Sequence, residues 1–154
     1  MASDIAADGI VLLKNDDNIL PLKKGTKILV TGPNGNEMRC LNGGWSYSWQ
    51  GDRANEFTER FNTIYEALAN EFGSKNLFYE AGVSYAQKGN WQDEIVSDAS
   101  IQSAVAAARR ADVIVACIGE NSYCETPGNM DDLNLSANQK RLVKELSKSG
   151  KPIV

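Results

Sequence analysis

The chain has 154 residues, 42% hydrophobic and 23% charged, with a net charge of −4 from 16 basic and 20 acidic side chains. That is enough length to bury one core in a composition ordinary for a soluble globular protein, and the charge argues against nucleic acid, whose phosphates call for a basic patch. The complete absence of histidine removes Ser-His-Asp triads, histidine metal sites and imidazole acid/base work. Cys40, Cys117 and Cys124 lack CxxC spacing, so no zinc site is expected. A Cys40–Cys124 disulfide is conceivable only if their loops meet. No run approaches the ~20 apolar residues of a membrane span, and Met1 to Ile5 lacks the basic and apolar regions of a signal peptide.

Ala2 to Asp8 reads as a helix tail entering Gly9. Gly9-Ile10-Val11-Leu12-Leu13-Lys14-Asn15 is an apolar run ended by Asn15 to Asn18, predicted as a strand and turn. Pro21 makes Ile19 to Leu22 an edge or irregular piece. Lys27 to Thr31 is a strand closed by Gly32-Pro33-Asn34-Gly35-Asn36. No GxGxxG or GK[ST] follows, so nucleotide binding has no support and no cofactor is expected. Phe61, Ile64, Tyr65, Leu68, Ala69 and Phe72 share one face of a helix predicted over Glu59 to Phe72, capped by Thr58 and left at Gly73.

Asn76 to Ala81 reads as the next strand, and Val83 to Ser97, which contains Trp91, as a long surface connection. Ser100 is the expected cap of a helix burying Ile101, Ala104, Val105 and Ala108, with Arg109-Arg110 at its negative end. Val113 to Ile118 is a continuous apolar strand in which Cys117 is a small core residue. Ser136 with Gln139 forms a capping-box pattern opening a helix that buries Leu142, Val143 and Leu146. Gly150 and Pro152 stop it. Pro152-Ile153-Val154 reads as the start of a further buried strand.

This alternation specifies an α/β fold: a three-layer α/β/α sandwich with a mostly parallel sheet and right-handed crossovers, truncated at its last strand. Residues 1–154 read as a single partial α/β domain, a fragment of something longer. An open sheet edge at Val154 leads to an expectation of oligomerisation or aggregation.

Ligands in open α/β sheets collect beyond the carboxyl ends of strands, which directs attention to two loops. Gly119 to Asn129 follows the strand at 113–118 and carries Glu120 and Glu125. A carboxyl group acts as an acid when burial or a neighbouring charge keeps it protonated. Otherwise either residue is a solvated loop glutamate, and Glu120 suits an anchor that accepts backbone N–H bonds. In Gly43 to Asp52, the alternation of Trp45, Tyr47 and Trp49 predicts an extended segment with all three on one side. Aromatic faces suit the apolar C–H surfaces of sugars, although such rings also fill a loop's own interior. Gln50 and Asp52 are placed to bond hydroxyls, or Asp52 to pair with Arg53.

Together these segments resemble the C-terminal α/β domain of family 3 glycoside hydrolases, the β-glucosidase and exo-glucanase group. The likeness runs through Gly9 to Asn15 with Leu20-Pro21-Leu22, Ile28 to Pro33, the Gly43-Gly44-Trp45 to Trp49-Gln50-Gly51 loop, the Tyr123-x-Glu125-Thr126-x-Gly128 core, Asn134 to Gln139 and Gly150-Lys151-Pro152. It implies a hydrolase acting at the non-reducing end of β-glucosides or β-glucans by a retaining mechanism. An aspartate nucleophile would stand on an N-terminal (β/α)₈-like barrel of the same protein, absent from this chain. Matched by position, Glu125 would be the acid/base and Trp49 a stacking wall on the aglycone side, with Trp45 also binding sugar. The parent would be periplasmic or secreted, and this piece alone inactive. Where many members have Gly-Asp, this chain has Gly128-Asn129, leaving Asp131 or Asp132 as stand-ins. The residues are also compatible with a non-catalytic carbohydrate-binding module, or with a packing domain in which Trp49 is sealed inside a core.

Overall fold

The computed structural model describes residues 2–90 and 92–154; Trp91 lies outside the described residues. In chain order the elements are α1 (Ala2–Asp8), β1 (Ile28–Thr31), α2 (Met38–Asn42), α3 (Ile64–Phe72), β2 (Leu77–Tyr79), β3 (Val83–Tyr85), β4 (Glu94–Val96), α4 (Asp98–Ala108), β5 (Val113–Ala116) and α5 (Ala137–Ser147). The main sheet has the order β2-β1-β5, and both pairings are parallel. Ile153 bridges Ile114 in parallel on the far side of β5, with the Ile114 N–H donating to Pro152 O at 2.9 Å and the Val154 N–H to Ile114 O at 2.8 Å. The segment at 152–154 therefore pairs as expected but is not buried, since Pro152 and Val154 are exposed on the outer side of β5.

Successive strand residues point to opposite faces, and β1 shows both faces covered. Leu29 and Ile114 pack with Ile101, Ala104 and Ala108 of α4 and Leu142 and Leu146 of α5. Ile28, Val30 and Val113 pack on the other face, against Ile64, Leu68 and Phe72 of α3. The chain is an α/β fold with helices on both sides of a mostly parallel sheet.

Several local expectations need correction. Gly9 to Asn15 is not a strand; Ile10 to Leu13 are exposed. A strand needs a neighbouring backbone to satisfy its polar groups, and none pairs here. Asn15 instead closes a loop, its amide donating to Leu20 O and accepting from Leu20 N, both at 2.9 Å.

Helix α3 starts at Ile64, because Thr63 and Glu66 form a reciprocal capping box there, an arrangement stronger than a lone threonine. Thr58 is buried and donates its hydroxyl to Ala54 O, while Phe61 is exposed. Likewise α4 begins after Ser97, with Ser100 as the reciprocal partner rather than the cap. The connection at 83–97 contains an antiparallel pair, with Val83 opposite Val96. Its strands are three residues each, too short for period-two alternation to stand out.

The two cores predict a sharp contrast. Ile114→Ala removes a fully buried side chain and should cost roughly 3 kcal/mol in urea denaturation, whereas Leu13→Ala, at a position 91% exposed, should stay within about 0.5 kcal/mol.

Candidate active site

Because β1 and β5 are adjacent and parallel, their carboxyl ends open side by side. The loop after β1 leads through α2 into the aromatic segment 43–52; the loop after β5 is the acidic segment 119–129. Asn34 ties their roots, its N–H donating to Cys117 O at 3.1 Å and its amide to Glu120 O at 3.4 Å.

The root of the acidic loop is held by Gln139. Ser136 caps α5 as expected, accepting from Gln139 N, but the Gln139 side chain does not return to the cap. It is 2% exposed; its Oε1 accepts from Gly119 N at 2.9 Å, and its Nε2 donates to Gly119 O and to Glu94 Oε1, both at 2.8 Å. Glu94 Oε2 accepts in turn from Ser136 Oγ and Asn138 Nδ2, and the Tyr85 hydroxyl donates to Gly119 O at 3.1 Å. Burial, and the Cys40 and Glu94 charges after it, raises the phenol pKa of Tyr85, which keeps it a donor. These residues border a cavity of about 290 Å³ that also touches Glu120, Tyr123 and Asn134.

The tip is held by Gln50, which is 5% exposed. It does not face outward to bond hydroxyls. Its Oε1 accepts from Cys124 N at 3.0 Å and its Nε2 donates to Cys124 O at 3.3 Å, while the Cys124 thiol donates to Trp49 O at 3.0 Å. This approach needs glycine at 44, where a Cβ would lie 2.5 Å from Cys124 Cβ, and at 51, which has φ +73° and would press a Cβ to 2.0 Å from Gly43 O. Beneath the aromatic loop, Glu37 and Arg39 are both buried. Arg39 Nε lies 3.5 Å from Glu37 Oε1, Arg39 Nη2 donates to Ala86 O, and Glu37 accepts from Asn55 and Gln87.

The two loops therefore meet, and Trp49 and Glu125 each neighbour in sequence the Gln50–Cys124 contact that joins them. Trp49 is half exposed and Trp45 is 70% exposed, so neither is sealed in a core. The aromatic segment is not extended: Trp45 and Tyr47 have φ near +60°, and Tyr47 turns aside to stack on Phe57 at 5.1 Å. Glu125 is exposed and has φ 55°, ψ −145°. Left-handed backbone at a non-glycine residue persists only where its surroundings enforce it, and it gathers at functional sites.

Other candidates take different roles. Glu120 accepts from the Tyr123 hydroxyl rather than from backbone N–H groups, and that bond, ahead of burial, raises the Tyr123 pKa. Asp52 accepts from Ser48 Oγ at 2.7 Å, and Arg53 pairs with Glu56 instead of Asp52. Asp132 accepts from Asn134 N, a local turn. All three cysteines are free. Cys40 donates to Asn121 Oδ1 at 3.7 Å and Cys124 is turned to Trp49, so the loops meet without a disulfide.

Among the described residues no group of three or more His, Cys, Asp or Glu is placed to hold a metal, and no helix is long and apolar enough to cross a membrane.

Helices on both faces of a parallel sheet, with charged and aromatic loops converging at the strands' carboxyl ends, define an α/β domain whose candidate site lies at that edge. Residues 10–154 match the glycosyl hydrolase family 3 C-terminal domain, and the chain belongs to that family. It is 37% identical to a lysosomal beta glucosidase of Dictyostelium discoideum, over 99% of this chain and 18% of the relative. It is 32% identical to a periplasmic beta-glucosidase of Salmonella typhimurium, over 99% of this chain and 21% of the relative. Among solved structures it superposes on a beta-glucosidase from Listeria innocua with a TM-score of 0.70 at 26% identity, covering 94% of this chain and 17% of that one. The Q683A form of an exo-1,3/1,4-beta-glucanase from a Pseudoalteromonas species gives 0.69 at 27% identity, covering 94% and 21%. The chain thus spans about a fifth of the length of the curated relatives it matches.

Two measurements follow from this geometry. Glu125→Gly, which relaxes the positive φ, should be more stable than Glu125→Ala by roughly 1 kcal/mol in denaturant titration. The second concerns thiols. Burial, then the Glu37 charge, pushes Cys40 up to about 12, and burial alone takes Cys117 to about 11, against an ordinary 9.0. Both states keep their protons below the unfolded value; above it the unfolded chain ionises first. Stability should therefore fall as pH rises from about 9 towards 11, read as a declining urea midpoint, and Cys40→Ser with Cys117→Ser should flatten that decline.

Proposed function

We propose that this domain supplies the proton-transfer half of a retaining β-glycosidase acting at the non-reducing end of β-glucosides or β-glucans. The observation that carries the reading is Glu125: an exposed residue on strained backbone, next in sequence to the Cys124 that Gln50 ties to the Trp49-bearing loop. The names and lengths of the relatives support it. The remaining four-fifths of such a protein would include a barrel domain bearing the aspartate nucleophile.

In this reading the aspartate attacks the anomeric carbon while the Glu125 carboxyl gives its proton to the departing glycosidic oxygen, leaving a glycosyl-enzyme ester. The Glu125 carboxylate then takes a proton from water as the water oxygen bonds to the anomeric carbon, and the aspartate leaves that carbon. Retention places the two carboxyl groups roughly 5–5.5 Å apart. Docking of the barrel would cover Glu125 and exclude water from the reacting groups. Trp49 offers a flat apolar face to the aglycone-side sugar, and Trp45 a second one further out. No cofactor or metal enters the chemistry. The parent is placed in a periplasmic or secreted setting, supported by a relative described as periplasmic.

The test uses the full-length protein. Glu125→Ala should lower activity on β-glucosides with poor leaving groups by roughly 100-fold or more, the scale of lost acid catalysis, while sparing much of the activity on dinitrophenyl glucoside. Added azide should speed turnover and yield β-glucosyl azide. Equal loss on every substrate with no azide product would contradict the role. The isolated chain should be inactive and bind gluco-oligosaccharides no tighter than about millimolar by Trp fluorescence, about −4 kcal/mol. Tighter binding would favour a carbohydrate-binding module.

A further inference from the structure

Among the described residues, nothing takes hold of the Glu125 carboxylate by a hydrogen bond or ion pair. The backbone on either side therefore sets where its side chain leaves the loop, with the rotamer left free. Downstream, Gly128 N donates to Glu125 O at 2.8 Å and closes a tight turn. Upstream, among the described residues, the only side chain gripping both backbone groups of the preceding residue is Gln50, on Cys124 N and Cys124 O. An amide has one acceptor and one donor in a plane, so it can satisfy a residue's N–H and C=O together as a neighbouring strand would. Gln50 is also bonded in sequence to Trp49, whose carbonyl accepts from the Cys124 thiol. The contact is part-buried on a buried Gln50, where a lost partner leaves a poorly satisfied peptide group.

Resting on the assignment of Glu125 above, we propose that Gln50 is a positioning residue for proton transfer: its amide fixes the Cys124 peptide so that Glu125 keeps its left-handed conformation and the aglycone-side indole and the acid move as one body. Gln50 itself touches no reacting atom. A strained residue relaxes when one of its enforcing contacts is lost. Relaxation at 125 would carry the carboxylate off the line to the leaving oxygen, while the sugar-binding surface and the nucleophile on the other domain stay intact.

The consequence differs from that of a merely structural residue. A loss of folded protein lowers the rate on all substrates by one factor. A misplaced acid lowers it in proportion to how much the leaving group needs protonation. In the full-length protein, Gln50→Ala should lower kcat/KM on an alkyl β-glucoside by roughly 10- to 100-fold, part of the full effect of a general acid, and by less than about 3-fold on dinitrophenyl glucoside. Gln50→Glu keeps the acceptor for Cys124 N and loses the donor to Cys124 O, so it should fall between wild type and Gln50→Ala. It also serves as the readout if Gln50→Ala does not fold.

The decisive arm is the double variant. If Gln50 acts through Glu125, then in a Glu125→Ala background Gln50→Ala should cost no more than about 2-fold on either substrate, because coupled residues are not additive. A loss by Gln50→Ala that is uniform across leaving groups, or that multiplies fully with Glu125→Ala, overturns the positioning role and leaves Glu125 as the acid. A flat leaving-group profile for Glu125→Ala itself overturns both.

Discussion

Two hydrogen bonds between one side-chain amide and one peptide hold the site together: Gln50 to the N–H and the C=O of Cys124. Neither loop is regular, and each carries a non-glycine residue in left-handed backbone. Taken alone, each would relax. Brought together they leave little freedom, and the glycines at 44 and 51 allow the backbones to approach closely enough for the amide to reach. The sheet makes that meeting possible, because parallel pairing of β1 with β5 delivers both chains to the same edge.

The energetics divide along the same lines. The two apolar layers around Leu29 and Ile114, and around Ile28 and Val30, anchor the sheet by burial. The loops bury little apolar surface of their own and depend on satisfied polar groups. Gln139 and Glu94 fix where the acidic loop leaves β5, Gln50 fixes its tip, and Glu37 with Arg39 ties α2 to Asn55 and to the 85–87 segment. A polar network of this kind orients more than it stabilises, since its members give up water to form it. Its yield is direction: the exposed Glu125 and the half-exposed Trp49 flank the contact that joins the two loops.

Much of this is legible in the sequence, for identifiable reasons. Long apolar runs such as Val113 to Ile118 and the helix face of Leu142 and Leu146 state their period plainly. The two loops stand out by glycine, aromatic and acidic content. What escapes such reading is set by competition or by tertiary contact. Thr58 reads as the helix cap, but Thr63 takes that place because Glu66 completes a reciprocal box with it. Gln139 fits a capping box in sequence, yet its side chain is claimed by Gly119 twenty residues away. Gln50 reads as a sugar ligand because nothing local reveals that Cys124 will lie beside it. The alternation of Trp45, Tyr47 and Trp49 suggests an extended segment that positive φ at two of them rules out. Ile10 to Leu13 show that an apolar run without a pairing backbone is not a strand.

Under the proposed roles, with an acid and a wall on this domain and the nucleophile elsewhere by family resemblance, catalysis depends on how two bodies dock. The strain at Glu125 is then maintained on one body for use at a surface shared with another. The most direct test is a crystal structure of the full-length protein with its glycosyl-enzyme trapped by a 2-fluoro-glucoside. The Glu125 carboxylate should lie roughly 5–5.5 Å from the esterified aspartate, with the Trp49 ring facing the aglycone side of the sugar. A structure in which Glu125 points to solvent, separated from the trapped sugar by another carboxylic acid in contact with its anomeric carbon, would contradict the account.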